Sequence, residues 1–120
     1  MAAEYIAARD NYQIILCERG IRTFETMTRN TLDLGILPLL RATTHLPIVV
    51  DPSHGTGVAG AVAPLARGAV ATGVDGIIVE VHPDPETALS DGPQALTFAM
   101  FSAMMSDLRR VAGAVGQPFC

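Results

Sequence analysis

Apolar residues along this chain come in short unbroken runs, and three of those runs end abruptly in charge. Ile14-Ile15-Leu16-Cys17 passes into Glu18-Arg19-Gly20, Ile48-Val49-Val50 into Asp51-Pro52-Ser53-His54-Gly55, and Ile77-Ile78-Val79 into Glu80-Val81-His82-Pro83-Asp84-Pro85. Runs of this length, rich in β-branched residues, read as strands apolar on both faces, the kind found in parallel sheets covered by helices. They begin roughly thirty residues apart, about one strand-plus-helix unit of a barrel built from eight such units. In such folds the reactive groups sit at the carboxyl ends of the strands, so Arg19, His54 and Glu80 are expected to converge on one face.

The segments between the runs complete an α-β-α-β-α-β-α order. Ala, Glu and Arg predict a helix over 2–9, stopped by Asp10-Asn11 before a strand over 13–17. A connection over 20–30 leads to a helix over 31–43, although Gly35 and Pro38 interrupt its pattern. Pro47 opens a strand over 47–51, a glycine-rich turn covers 53–57, and an alanine-rich helix covers 58–72 with Gly73 just beyond its end. A third strand over 76–81 and a proline-containing loop over 84–92 precede a long helix over 94–115. Leu96, Phe98, Met100, Phe101, Met104, Met105, Leu108 and Val111 form its apolar stripe. The fold class is therefore α/β, parallel strands alternating with helices in a single domain over 1–120.

Composition narrows the function classes. With 120 residues, 49% hydrophobic and mean hydropathy +0.34, the chain has room for one domain and enough apolar content for a core. Its apolar runs fall far short of the ~20 residues that cross a bilayer, and its start lacks a basic segment followed by an apolar one, so neither a membrane span nor a secretory signal is expected. A cytoplasmic setting follows, with Cys17 and Cys120 as reduced thiols rather than a disulfide or zinc pair. All eight basic residues are arginine, which removes Schiff-base and phosphate-loop lysines from the options, and a net charge of −4 argues against nucleic acid as the partner.

The candidate chemistry lies in one imidazole and two carboxylates. His54, Glu80 and Asp91 suit a borderline divalent metal, Mn²⁺, Fe²⁺, Co²⁺ or Zn²⁺, because imidazole adds affinity that an all-oxygen Mg²⁺ site lacks. Glu80 directly after an apolar strand is costly to bury unless it is paired. Spacing alone leaves a second possibility open, in which His54 caps the following helix and Glu80 faces solvent. Arg19 could grip a phosphate or carboxylate with two parallel hydrogen bonds, or pair with Glu18 or another acid. A Ser53–His54 nucleophile–base pair has no supporting motif. His82-Pro83-Asp84-Pro85 reads as a stiffened loop, His45 and Arg109-Arg110 as surface, and the Met and Phe residues of the last helix as core or interface.

Four segments in order then resemble a known family. Ile15-Leu16-Cys17-Glu18-Arg19-Gly20-Ile21-Arg22-Thr23-Phe24-Glu25, Val50-Asp51-Pro52-Ser53-His54-Gly55-Thr56-Gly57, Val79-Glu80-Val81-His82-Pro83-Asp84-Pro85 and Ala88-Leu89-Ser90-Asp91-Gly92-Pro93-Gln94 are similar to the last three strand–helix units of 3-deoxy-D-arabino-heptulosonate 7-phosphate (DAHP) synthases. These enzymes share a branch with 3-deoxy-D-manno-octulosonate 8-phosphate (KDO8P) synthases, and the first two segments look more like the heptulosonate enzyme. The resemblance implies that the domain over 1–120 is part of a TIM barrel, and it implies condensation of phosphoenolpyruvate with erythrose 4-phosphate, the first step of the shikimate route to aromatic amino acids. It also implies that His54, Glu80 and Asp91 are three of four metal ligands and that Arg19 binds the phosphoenolpyruvate phosphate.

The family's Gly-Pro-Cys, Lys-Pro-Arg-Thr and Gly-Ala-Arg segments and its strand-five lysine have no match here, and Cys17 is not the fourth ligand. The resemblance thus implies that these 120 residues act only as part of a homo-oligomer or with a chain that supplies the missing strands. The alternatives are a non-catalytic remnant that binds metal or anions or serves in assembly, and a KDO8P synthase.

Overall fold

The computed structural model describes residues 2–119; Cys120 lies outside them. Helix α1 (Ala2–Ala7) ends where Asp10 adopts the left-handed conformation (φ 58°), a common way of stopping a helix. Strand β1 (Leu16–Glu18), helix α2 (Ile36–Thr43), strand β2 (Ile48–Val50), helices α3 (Pro52–Thr56) and α4 (Ala59–Ala71) and strand β3 (Gly76–Ile77) follow. Two 3₁₀ turns, Pro85–Thr87 and Gly92–Gln94, lead to helix α5 (Phe98–Ala114).

The three strands form one parallel sheet in the order β1-β2-β3, with Leu16 beside Ile48, Glu18 beside Val50 and Val50 beside Ile77. Parallel neighbours require crossovers, and the helices supply them. One face of the sheet is covered. Leu37, Ile48, Val50 and Ala69 pack α2 and α4 against β2. Val62, Ala66, Val70, Leu96, Met104, Leu108 and Ala112 join α4 to α5. The other face, which alternation assigns to Ile15, Cys17 and Ile78, is open: Ile15 and Ile78 are 62% and 50% exposed. An inner face rich in apolar side chains with no layer across from it is the shape of a barrel segment.

Several boundaries differ from those read in the sequence. The hydrogen-bonded ladder is shorter than the apolar runs, because β1 and β3 each have one neighbour and pairing stops where that neighbour ends; beyond β3 the chain stays extended, and Val81 bridges to Leu96. Helix α2 starts at Ile36, where the Asp33 carboxylate accepts the Ile36 N–H, and Pro38 falls in the first turn, where no backbone donor is lost. The segment read as a glycine-rich turn is a short helix, α3, so Ser53 and His54 lie on helical backbone rather than along a strand. The long helix begins at Phe98, capped by the Thr97 hydroxyl, which accepts the Met100 N–H.

Candidate metal centre

The site stands on the segments that leave the carboxyl ends of the strands. Where β2 ends, Asp51 begins α3: its Oδ1 accepts the His54 N–H at 3.0 Å, and Pro52 occupies the first helical position, where a missing N–H costs nothing. Asp51 is therefore the cap of α3, and α4 starts with no side-chain cap, so His54 caps neither helix. The other carboxylate oxygen lies 2.7 Å from His54 Nδ1. An acceptor at that distance requires the proton on Nδ1 and leaves the Nε2 lone pair pointing away from Asp51.

That lone pair faces the two remaining acids. His54 Nε2 is 3.7 Å from Glu80 Oε1 and 4.0 Å from Asp91 Oδ1. One ligand atom from each of His54, Glu80 and Asp91 lies within 4.8 Å of the others, the one such cluster of His, Cys, Asp or Glu among the described residues. The donor set fits a divalent ion: an imidazole whose other ring nitrogen is held by a buried carboxylate, plus two carboxylates, the chemistry of Mn²⁺, Fe²⁺, Co²⁺ or Zn²⁺ sites.

Each ligand has its own support. Glu80 is fixed through its backbone: its N–H donates to Ser53 Oγ, which is fully buried, and its C=O accepts from Leu96 N–H. Asp91 sits in the left-handed region (φ 57°) just before Gly92, and its Oδ1 accepts from Gln94 Nε2 at 3.0 Å. Gly92 is required by close approach, since a Cβ there would lie 2.3 Å from the Pro85 carbonyl oxygen. A wide, shallow cavity of about 570 Å³ opens beside Asp91, lined by Pro85, Glu86, Ala88, Ser90 and Pro93.

Arg19 lies at the same rim, mostly exposed, with Nε 4.0 Å from Asp51 Oδ2, the oxygen that also holds His54. It does not pair with Glu18, whose Oε1 accepts the N–H groups of Gly20 and Asp33 and so shapes the turn that presents the guanidinium. Cys17 is exposed on the open face, and partial burial of its sulfur, followed by the Asp51 charge, pushes its pKa above the ordinary thiol value. It remains a thiol at neutral pH, consistent with having no part in the site. His82 Nδ1 meets the backbone of Asp84 at 2.7 and 3.1 Å, a stiff local turn away from the cluster, and His45 is surface.

Sequence reasoning grouped His54, Glu80 and Asp91, which the structure brings within 4.8 Å of one another, and missed the residues that support them. Asp51, Ser53 and Gln94 are 5%, 0% and 3% exposed. Asp-Pro is a helix-start signal that was available for Asp51; Ser53 and Gln94 carried none, because nothing in their spacing foretells a buried polar residue.

Residues 1–113 match the DAHP synthetase I family. The chain is 56% identical over 116 residues to the phospho-2-dehydro-3-deoxyheptonate aldolase of Thermotoga maritima, a match covering 97% of this chain and 34% of that protein. It is 39% identical over 120 residues to the 2-dehydro-3-deoxyphosphooctonate aldolase of Thiobacillus denitrificans, covering 89% of this chain and 41% of that one. The crystal structure of the Thermotoga maritima DAHP synthase superposes with a TM-score of 0.94 over 97% of this chain and 34% of its own. These 120 residues thus span about a third of the length of the heptonate relative they match. The chain belongs to the DAHP synthetase I family.

Proposed function

We propose that these 120 residues are the metal-ligand-bearing portion of a DAHP synthase, which joins phosphoenolpyruvate to erythrose 4-phosphate and releases phosphate. The observation that carries this reading is the convergence of His54 Nε2, Glu80 and Asp91, with the imidazole turned toward the acids by Asp51. The residues that would hold the divalent ion are these three, and the ion when bound supplies Lewis acidity toward the aldehyde oxygen of the sugar phosphate. Asp51 accepts the ring proton at Nδ1, so that Nε2 is the nitrogen presented to the ion. Ser53 and Leu96 hold the Glu80 backbone so that its carboxylate faces the same point. Arg19, exposed at the rim with a planar guanidinium that can donate two parallel hydrogen bonds, binds the phosphoenolpyruvate phosphate.

Turnover requires the polypeptide that covers the open face at Ile15 and Ile78 and supplies a fourth ligand and the sugar-phosphate cradle. Among the described residues no helix is long and apolar enough to cross a membrane, and the proposed biosynthetic reaction belongs in the cytoplasm. The higher identity to the heptonate relative than to the octonate relative favours erythrose 4-phosphate over the sugar substrate of a KDO8P synthase.

Phosphate release is the test. The 120-residue chain with Mn²⁺ and both substrates is expected to give none, and the chain completed by the remaining barrel strands is expected to release phosphate with erythrose 4-phosphate and not with arabinose 5-phosphate. Preference for arabinose 5-phosphate would transfer the chain to the KDO8P branch. A completed barrel inert with both sugars would make it a non-catalytic remnant.

A further inference from the structure

We propose that Gln94 is a positioning residue for the metal centre, holding Asp91 in its coordinating pose and tying that pose to the loop after β1. The assignment rests on the reading of His54, Glu80 and Asp91 as a metal site. Asp91 has little backbone structure to fix it: it stands outside any strand or helix, on a left-handed backbone, with about a third of its side chain exposed. Free rotation about its first side-chain bond would carry the carboxylate into solvent. The Gln94 amide prevents this by donating from Nε2 to Asp91 Oδ1 at 3.0 Å, which occupies one lone-pair direction of the oxygen that faces His54 Nε2 and leaves the other free.

Gln94 can do this because it is itself buried. It is 3% exposed, and its Oε1 accepts a long hydrogen bond, 3.5 Å, from Arg29 Nη1. Arg29 also lies 3.7 Å from Asp91 Oδ1 and is anchored to α3 through its backbone, its N–H donating to the Thr56 C=O. Gly57 lets the two segments touch, since a Cβ there would lie 3.0 Å from Arg29 Cβ on a backbone already at φ +71°. The chain of contacts runs from α3, which carries His54, through Arg29 and Gln94 to Asp91, so two ligands from distant parts of the sequence share one support.

The test is Mn²⁺ affinity of the 120-residue chain, read from the free-ion signal in electron paramagnetic resonance, with thermal unfolding followed in parallel. Gln94→Met keeps the buried volume and removes both hydrogen bonds; Gln94→Asn keeps an amide but withdraws it from reach. Both are expected to weaken Mn²⁺ binding about 10-fold, the range seen when outer-shell partners are lost, with the unfolding midpoint little changed. His54→Ala should abolish binding. Wild-type affinity in either folded variant overturns the positioning role while leaving the site intact. Loss of the helical signal in both variants makes Gln94 merely structural and also overturns it. No saturable binding in the wild type, or binding that survives His54→Ala, overturns the site reading and this assignment with it.

Discussion

Replacing Asp51 by Asn keeps the shape of the side chain and changes which of its atoms donate. In the native chain Oδ1 accepts the His54 N–H and caps α3, while Oδ2, 2.7 Å from Nδ1, accepts the ring proton. An asparagine has one acceptor for these two tasks. If its oxygen keeps the cap, its NH₂ faces Nδ1, the ring proton moves to Nε2, and the face turned toward Glu80 and Asp91 becomes a donor. If the amide flips, the NH₂ meets the His54 N–H, which costs about 1 kcal/mol of capping and about 1–3 kcal/mol for an unpaired buried donor.

The first arrangement is the better one, and asparagine caps helices as well as aspartate does, so stability should barely change. Metal affinity should fall roughly 10–100-fold, or about 1.4–2.7 kcal/mol. Calorimetric titration of Mn²⁺ into both chains at near-neutral pH, beside their thermal unfolding curves, measures the two quantities separately. Unchanged affinity in Asp51→Asn would refute the tautomer argument, and a collapse of the unfolding midpoint would show that the carboxylate serves the fold rather than the ligand.

Three further outcomes are expected. Leu108, 2% exposed between α4 and α5, anchors the larger core cluster, so Leu108→Ala should lower unfolding free energy in denaturant titrations by about 2–5 kcal/mol. Asp75 accepts the Ile48 N–H and then pairs with Arg41, both at 2.8 Å, and these hold its carboxyl below the usual range. A depressed folded value means stability present above the unfolded pKa of about 3.9 and lost as pH falls through the folded one, so Asp75→Asn should flatten that acid limb in pH-dependent unfolding. Because the Cys17 thiol is pushed up, alkylation by iodoacetamide should be slow at neutral pH and accelerate in alkali, and Cys17→Ser should leave Mn²⁺ affinity untouched.

What the sequence displayed and what it hid divide along physical lines. The strands were legible because burial on both faces demands unbroken apolar runs, and the site face was legible because parallel strands bring their carboxyl ends to one side. That is how His54, Glu80 and Asp91, 37 residues apart from first to last, could be grouped before any coordinates. Ladder ends were not legible, since pairing at β1 and β3 depends on how far a single neighbour extends. Helix α3 itself was hidden, because a five-residue helix shows no periodicity, and the open possibility that His54 caps the helix after it fails because α4 starts with no side-chain cap. The start of α5 was displaced because Gln94, a good helix former, is recruited into a 3₁₀ turn by Asp91 and Arg29, an interaction 65 residues long in the case of Arg29.

The central claim is that one ion touches His54, Glu80 and Asp91 together. Anomalous diffraction at the manganese edge from Mn²⁺-soaked crystals addresses it without any assay of activity. The account predicts a single strong peak within coordinating distance of His54 Nε2 and of one oxygen from each acid. A peak at another cluster, or none at saturating Mn²⁺, would contradict it.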